Sequence, residues 1–120
     1  MGMQLTVAKD EGELIFVRSA GTIREEDVHV STHPLEALLG PDAFRRRVLF
    51  NLELTPHIDS SGVGWLLGCH KRCLQSGGKL VLYSVPPMVL QILRVLRIDS
   101  LLLIAANEPE ARALALEKSE

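Results

Sequence analysis

A chain of 120 residues, 47% hydrophobic and 23% charged, has enough apolar material for one core, which argues against a disordered segment and predicts a single domain over residues 1–120. With 13 basic and 15 acidic side chains the formal net charge is -2, so no whole-surface binding to nucleic acid or anionic membrane is expected. No apolar run approaches bilayer length, Met1-Gly2-Met3-Gln4-Leu5-Thr6-Val7 has no secretory pattern, and the 2 cysteines, Cys69 and Cys73, sit four apart and close no useful loop; a reduced, cytoplasmic protein is the expectation.

Residues 3–9 and 13–19 read as two short strands, with Leu5 and Val7 on one face of the first and Leu14 and Phe16 assigned to opposite faces of the second. Asp10-Glu11-Gly12 joins them as a hairpin turn. Residues 21–40 carry mixed signals: Glu25-Glu26-Asp27 suits a helix N-terminus, Val28, Val30 and Thr32 favour a strand, and Pro34 breaks any continuous helix. A short helix restarting at Pro34, carrying Leu35, Leu38 and Leu39 and ending at Gly40, is expected. Arg45, Arg46 and Arg47 read as a solvated lead-in to the next strand, because no glycine-rich loop accompanies them as a phosphate patch would require.

Residues 47–54 follow, with Val48, Phe50, Leu52 and Leu54 on one face by the period of two. After a short junction, Val63, Leu66, Leu67, His70, Cys73 and Leu74 recur at helical spacing until Gly77-Gly78 stops the helix. Residues 79–84 read as a strand buried on both sides, the usual appearance of a parallel-sheet interior. Pro86-Pro87 starts a helix over residues 88–97 whose Met88, Val89, Ile92, Leu93, Val95 and Leu96 nearly encircle it, so one face can meet the sheet and the other needs a partner. Residues 101–104 form a short strand, and Asn107 caps a last helix with Pro109, Glu108 and Glu110 at its start and Lys118 near its end. The alternation predicts an α/β domain: a four- to five-stranded mixed sheet, mainly parallel with an antiparallel N-terminal hairpin, flanked by about four helices through right-handed crossovers.

Sheets of this kind bind at the carboxyl ends of their strands, which directs attention to Thr55-Pro56-His57-Ile58-Asp59-Ser60-Ser61-Gly62-Val63-Gly64. Pro56 ends the ladder, and Asp59 or Ser60 supplies the oxygen that caps the following helix. A serine there can be a cap, a nucleophile, an anion site or a phosphorylation target. Gly62, Gly64 and Gly68 each cost the helix about 1 kcal/mol, offset by close packing or by partner access. At Gly64 a side chain is expected to meet the strand beneath. Trp65 points away from the Val63 and Leu66 stripe, which predicts partial exposure as a lid on the sheet edge or as a partner contact.

Other chemistries lack their parts. His57, Asp59 and Ser60 are too close in sequence to line up as nucleophile, base and orienting acid. Cys69, His70 and Cys73 have no fourth zinc ligand at suitable spacing, and His29 and His33 need a continuous helix that Pro34 interrupts. The glycines of residues 62–68 precede no Lys-Ser or Lys-Thr, so no nucleotide loop is formed, and Asp59 lacks the acidic cluster of a receiver aspartate. No metal, cofactor or catalytic residue is expected.

Ile58-Asp59-Ser60-Ser61-Gly62-Val63-Gly64, preceded by the strand of residues 48–54 and followed by Gly77-Gly78-Lys79-Leu80-Val81-Leu82, resembles the STAS domain of bacterial anti-sigma factor antagonists. The likeness continues over residues 84–104 and, with the opening hairpin, covers nearly the whole chain. The resemblance implies a STAS-like single domain that regulates transcription by partner switching and is not an enzyme. It makes Ser60 the phosphorylation site, by match to the first serine of Asp-Ser-Ser-Gly, and gives the flanking Asp59 and Ser61 a role in shaping the loop; with Gly62, Gly64 and Trp65 of the helix start, Asp59 and Ser61 are the candidate partner-binding residues. The implied partners are an anti-sigma factor that is a serine protein kinase of the histidine-kinase-like ATPase fold, and a PP2C-type phosphatase. A STAS accessory subunit of a transporter or stressosome-type complex, without phosphorylation, is the alternative. The chain departs from the pattern at Gly21-Thr22-Ile23-Arg24-Glu25 and at Pro34, where many members have Gly-Glu-Leu-Asp or Gly-Asp-Leu-Asp and an uninterrupted helix.

Overall fold

Five strands lie in the order of the chain, β1-β2-β3-β4-β5, in a computed structural model that describes residues 3–23 and 34–117. The elements are β1 (Gln4–Asp10), β2 (Leu14–Ala20), α1 (Pro34–Leu39), a 3-10 turn (Ala43–Arg45), β3 (Arg47–Leu54), α2 (Ser60–Ser76), β4 (Lys79–Tyr83), α3 (Pro87–Val95), β5 (Leu103–Ala105) and α4 (Glu108–Leu116). β1 pairs antiparallel with β2, and every later pairing is parallel. The expected mixed α/β sheet, with its leading hairpin, is present.

Period-two alternation sorts the sheet residues onto two faces. Register aligns Ile15 with Val48 and Leu80, and Val17 with Phe50 and Leu82; these residues share a core with Leu35 of α1, Val63, Leu66, Cys69 and Cys73 of α2, and Val89 and Leu93 of α3. Leu14, Phe16, Leu49, Val81 and Tyr83 face the other way and meet Ala111 and Ala115 of α4. Leu14 and Phe16 therefore share a face, correcting their assignment to opposite faces: residues two apart on a strand point the same way. Putting α1, α2 and α3 on one side and α4 on the other buries β4 at all five positions, Lys79 included.

Local chemistry sets the boundaries. Gly77 ends α2 at φ 86 with its amide on the Cys73 carbonyl, a left-handed cap that L side chains rarely adopt. Asn107 caps α4 by accepting from the Glu110 amide. α3 closes at Val95, two residues before the expected end, and β5 starts at Leu103 instead of residue 101, because the Leu101 amide donates to the Ile98 carbonyl at 2.8 Å in a turn. The arginine lead-in is neutralised by carboxylates: Arg46 bonds Asp10 at 2.7 Å, Arg47 bonds Glu13 at 2.7 Å, and Arg45 lies 3.7 Å from Asp42. The helix-or-strand ambiguity of residues 25–32, the His29 and His33 pair, and Lys118 fall outside the described residues.

Candidate functional site

Two segments build the junction after β3. The Gly21 amide donates to the Leu54 carbonyl at 2.9 Å, and the buried Thr55 hydroxyl bonds Ser19 through its carbonyl at 3.2 Å and its Oγ at 3.0 Å. Beyond Pro56, the Ile23 amide donates to the His57 carbonyl at 3.3 Å and the Asp59 amide to the Ile23 carbonyl at 3.2 Å, making an isolated parallel bridge between Ile23 and Ile58. Both isoleucines are sealed, at 0% and 1% exposure, so the loop before α2 is pinned from below while its outer side faces solvent.

Asp59 takes the capping role. Its Oδ1 accepts from the Gly62 amide at 2.9 Å while its carbonyl accepts from Val63 at 2.9 Å, and its extended backbone (φ -92, ψ 178) is that of an N-cap. Ser60 is thus the first helical residue, exposed, and its hydroxyl makes no hydrogen bond among the described residues. Ser61 is half-buried beside it. The sequence left the cap open between Asp59 and Ser60; with Asp59 in place, the Ser60 hydroxyl stands at the positive end of a 17-residue helix with no structural task.

The remaining residues of the expected site divide. Gly64 is exposed, and a Cβ built there meets nothing within 4 Å, which overturns the expectation that a side chain would strike the strand. Gly62 is the packing glycine: a Cβ there would lie 2.6 Å from Ile58 Cγ1 and 2.9 Å from the Ile23 carbonyl oxygen. Trp65 is also corrected. It is 9% exposed, and its ring packs edge-on against Phe50, with centroids 6.1 Å apart at 72°. Gly62 and Trp65 shape the site from beneath, while Asp59, Ser60, Ser61 and Gly64 form its outer surface, with exposed His57 alongside.

Cys69 and Cys73 are buried and form no disulfide; burial pushes the Cys69 thiol well above its ordinary range and that of Cys73 up to about 11, so neither is a ready thiolate. Burial holds His70 below its ordinary value. Among the described residues no three His, Cys, Asp or Glu side chains converge as a metal would require, and no helix is long and apolar enough to cross a membrane.

The family model of the STAS domain matches residues 5–111. The chain belongs to the STAS family. Solved structures agree with this STAS architecture. A candidate anti-sigma factor antagonist from Thermotoga maritima superposes with a TM-score of 0.78 at 16% identity, covering 96% of this chain and 95% of the other. A STAS-domain anti-sigma-factor antagonist protein from Planctomyces limnophilus gives 0.63 at 21% identity, covering 98% and 100%. The anti-sigma factor antagonist SpoIIAA in its unphosphorylated form gives 0.61 at 20% identity, covering 92% and 94%. At these identities the likeness establishes the shared STAS fold, within which Ser60 opens the helix that follows the central strand.

Proposed function

We propose that this STAS domain is an anti-sigma factor antagonist that works by partner switching, with Ser60 as its phosphorylation site. Unmodified, it captures an anti-sigma factor that is also a serine kinase of the histidine-kinase-like ATPase fold; phosphorylation of Ser60 releases that partner, and a PP2C-type phosphatase restores the binding form. The protein is a binding module, not an enzyme, and it acts in the cytoplasm on transcription indirectly. The observation that carries this reading is the Ser60 hydroxyl itself: exposed, at the first helical position, and relieved of capping by Asp59.

A phosphoryl group at Ser60 adds almost two negative charges beside the positive end of α2, which the fold tolerates. A partner covering the loop faces desolvation of that phosphate and repulsion from its own carboxylates, on the order of several kcal/mol. That is enough to reverse a micromolar contact. Intact mass after incubation with ATP and the cognate serine kinase tests the reading: wild type gains one phosphoryl group and Ser60→Ala gains none. Unchanged partner affinity in a folded Ser60→Asp variant would remove the mechanism and leave the unphosphorylated accessory subunit.

A further inference from the structure

A cleft of about 310 Å³ opens at the carboxyl ends of β4 and β5, the end at which parallel sheets commonly hold ligands. Three segments wall it: Val85 from the chain leaving β4, Leu90 and Arg94 four apart on one face of α3, and Asp99, Ile104 and Ala106 from the turn after α3 and the end of β5. Val85, Leu90 and Ile104 are half-buried and supply apolar lining. Among the described residues, the non-glycine residues with positive φ, Ser84 at 52 and Arg97 at 58, flank α3, one where the chain leaves β4 and the other where it turns back toward Asp99. Backbone strain of this kind persists where the surrounding structure over-determines it, and it gathers at ligand sites.

Arg94 and Asp99 put opposite charges into this one cleft. Arg94 is exposed and Asp99 half-buried, and among the described residues neither side chain makes an ion pair or hydrogen bond, with the other or with a third group. A ligand carrying a single charge would be repelled by one of them, and an uncharged apolar ligand would strip water from both without replacing it. A zwitterion satisfies the pair: a carboxylate fits the guanidinium fork, and an ammonium gives charge-assisted hydrogen bonds to the Asp99 carboxylate. Val85, Leu90 and Ile104 then take an aliphatic group, and the volume, at the small end for ligand sites, keeps that group compact.

We propose that the cleft between α3 and the end of β5 binds a free α-amino acid with an aliphatic side chain, its carboxylate on Arg94, its ammonium on Asp99 and its side chain against Val85, Leu90 and Ile104. The site shares no lining residue with the loop that presents Ser60, so it stands apart from the partner-switching reading.

Titration of the full chain with millimolar L-leucine, followed by amide chemical shifts, tests the site. Saturable shifts are expected at Val85, Leu90, Arg94, Asp99 and Ile104. Two half-ligands separate the charges: 4-methylpentanoate lacks the ammonium and 3-methylbutylamine lacks the carboxylate, and each is expected to bind at least about tenfold more weakly than L-leucine. Arg94→Gln should weaken L-leucine about tenfold and leave 3-methylbutylamine unchanged, while Asp99→Asn should weaken L-leucine and leave 4-methylpentanoate unchanged. That crossed pattern, with thermal midpoints near wild type, is one that a merely loosened cleft would not give. Absence of saturable shifts with L-leucine, shifts mapping elsewhere, half-ligands that bind as well as the amino acid, or variants that weaken every ligand alike would each overturn the proposal. The titration needs no kinase, so its failure leaves the Ser60 mass shift standing, and a missing mass shift leaves amino-acid binding standing.

Discussion

Ile23 and Ile58 meet in an isolated parallel bridge, and Gly62 lies so close above it that a methyl group there would fall 2.8 Å from Ile23 Cγ2 and 2.9 Å from the Ile23 carbonyl oxygen. One glycine in the first turn of α2 thus locks the 21–23 segment to the loop that presents Ser60. Gly62→Ala forces backbone as well as side chain to move and is expected to destabilise the domain by about 1–3 kcal/mol. Gly64→Ala, two residues on and open to solvent, is expected to stabilise it by about 0.5–1 kcal/mol through helix propensity. Urea midpoints of the two variants, moving in opposite directions from wild type, are the check; equal shifts would mean that the bridge does not constrain the helix start.

Capping and modification separate into neighbouring side chains. Asp59→Ala removes the oxygen that accepts from the Gly62 amide and is expected to cost about 0.5–2 kcal/mol, while Asp59→Asn keeps most of the cap. Ser60→Ala removes an exposed hydroxyl with no hydrogen bond among the described residues and should stay within about 0.5 kcal/mol of wild type. Thermal unfolding of the three variants decides it. A Ser60→Ala loss as large as that of Asp59→Ala would return the serine to a structural role.

Acid should loosen the hairpin turn. The Arg46 guanidinium, bonded to Asp10 at 2.7 Å, holds that carboxyl below its ordinary 3.8, with help from the Gly12 amide; Arg112 holds Glu11 below its ordinary 4.5. A carboxyl lowered on folding stabilises above its unfolded value and loses that contribution as pH falls through its folded one. The stability from these pairs is therefore complete near pH 5 and declines below about pH 4. Joint Asp10→Asn and Glu11→Gln substitution should flatten the decline in urea midpoint across that window, and salt should shrink the difference because the pairs are exposed.

Much of this was legible in the sequence because each element carried its own punctuation. Pro34 and Gly40 bracket α1, Asp59 and Gly77 bracket α2, and Asn107 opens α4, all from side-chain chemistry that acts within a few residues. The facing of α2 was legible only in part. Val63, Leu66, His70 and Cys73 of the expected stripe are buried, yet Leu67 is half-buried and Leu74 is 50% exposed, and the buried arc extends the other way to Gly62, Trp65 and Cys69. At 3.6 residues per turn the true arc is rotated by roughly 60° from the one that hydrophobicity alone selects. Gly62 and Cys69 carry too little apolar surface to mark that side as core, so the stripe alone leaves Trp65 outside, whereas Phe50 holds it within. Which of Gly62 and Gly64 touches the sheet depends on that same rotation.

Lys79 shows why a buried charge need not mark a site. At 7% exposure its ammonium reaches under the sheet to donate to the carbonyls of Leu114 and Glu117, both at 2.7 Å. These carbonyls lie at the end of α4, where the backbone has spare acceptors and the helix dipole favours a cation. α4 in turn covers Leu49, Val81 and Tyr83, so this one side chain ties the last helix to the sheet face it protects. Lys79→Met keeps the stem and removes both hydrogen bonds, at an expected cost of about 1–3 kcal/mol. Hydrogen exchange should quicken at the C-terminal turn of α4 while the amides of α2 stay protected. The loss should be less sensitive to salt than that of the exposed Arg47–Glu13 pair, because burial shields the ammonium from counterions. Uniform acceleration of exchange through the whole domain would mean that α4 is not held separately and that Lys79 acts through the common core.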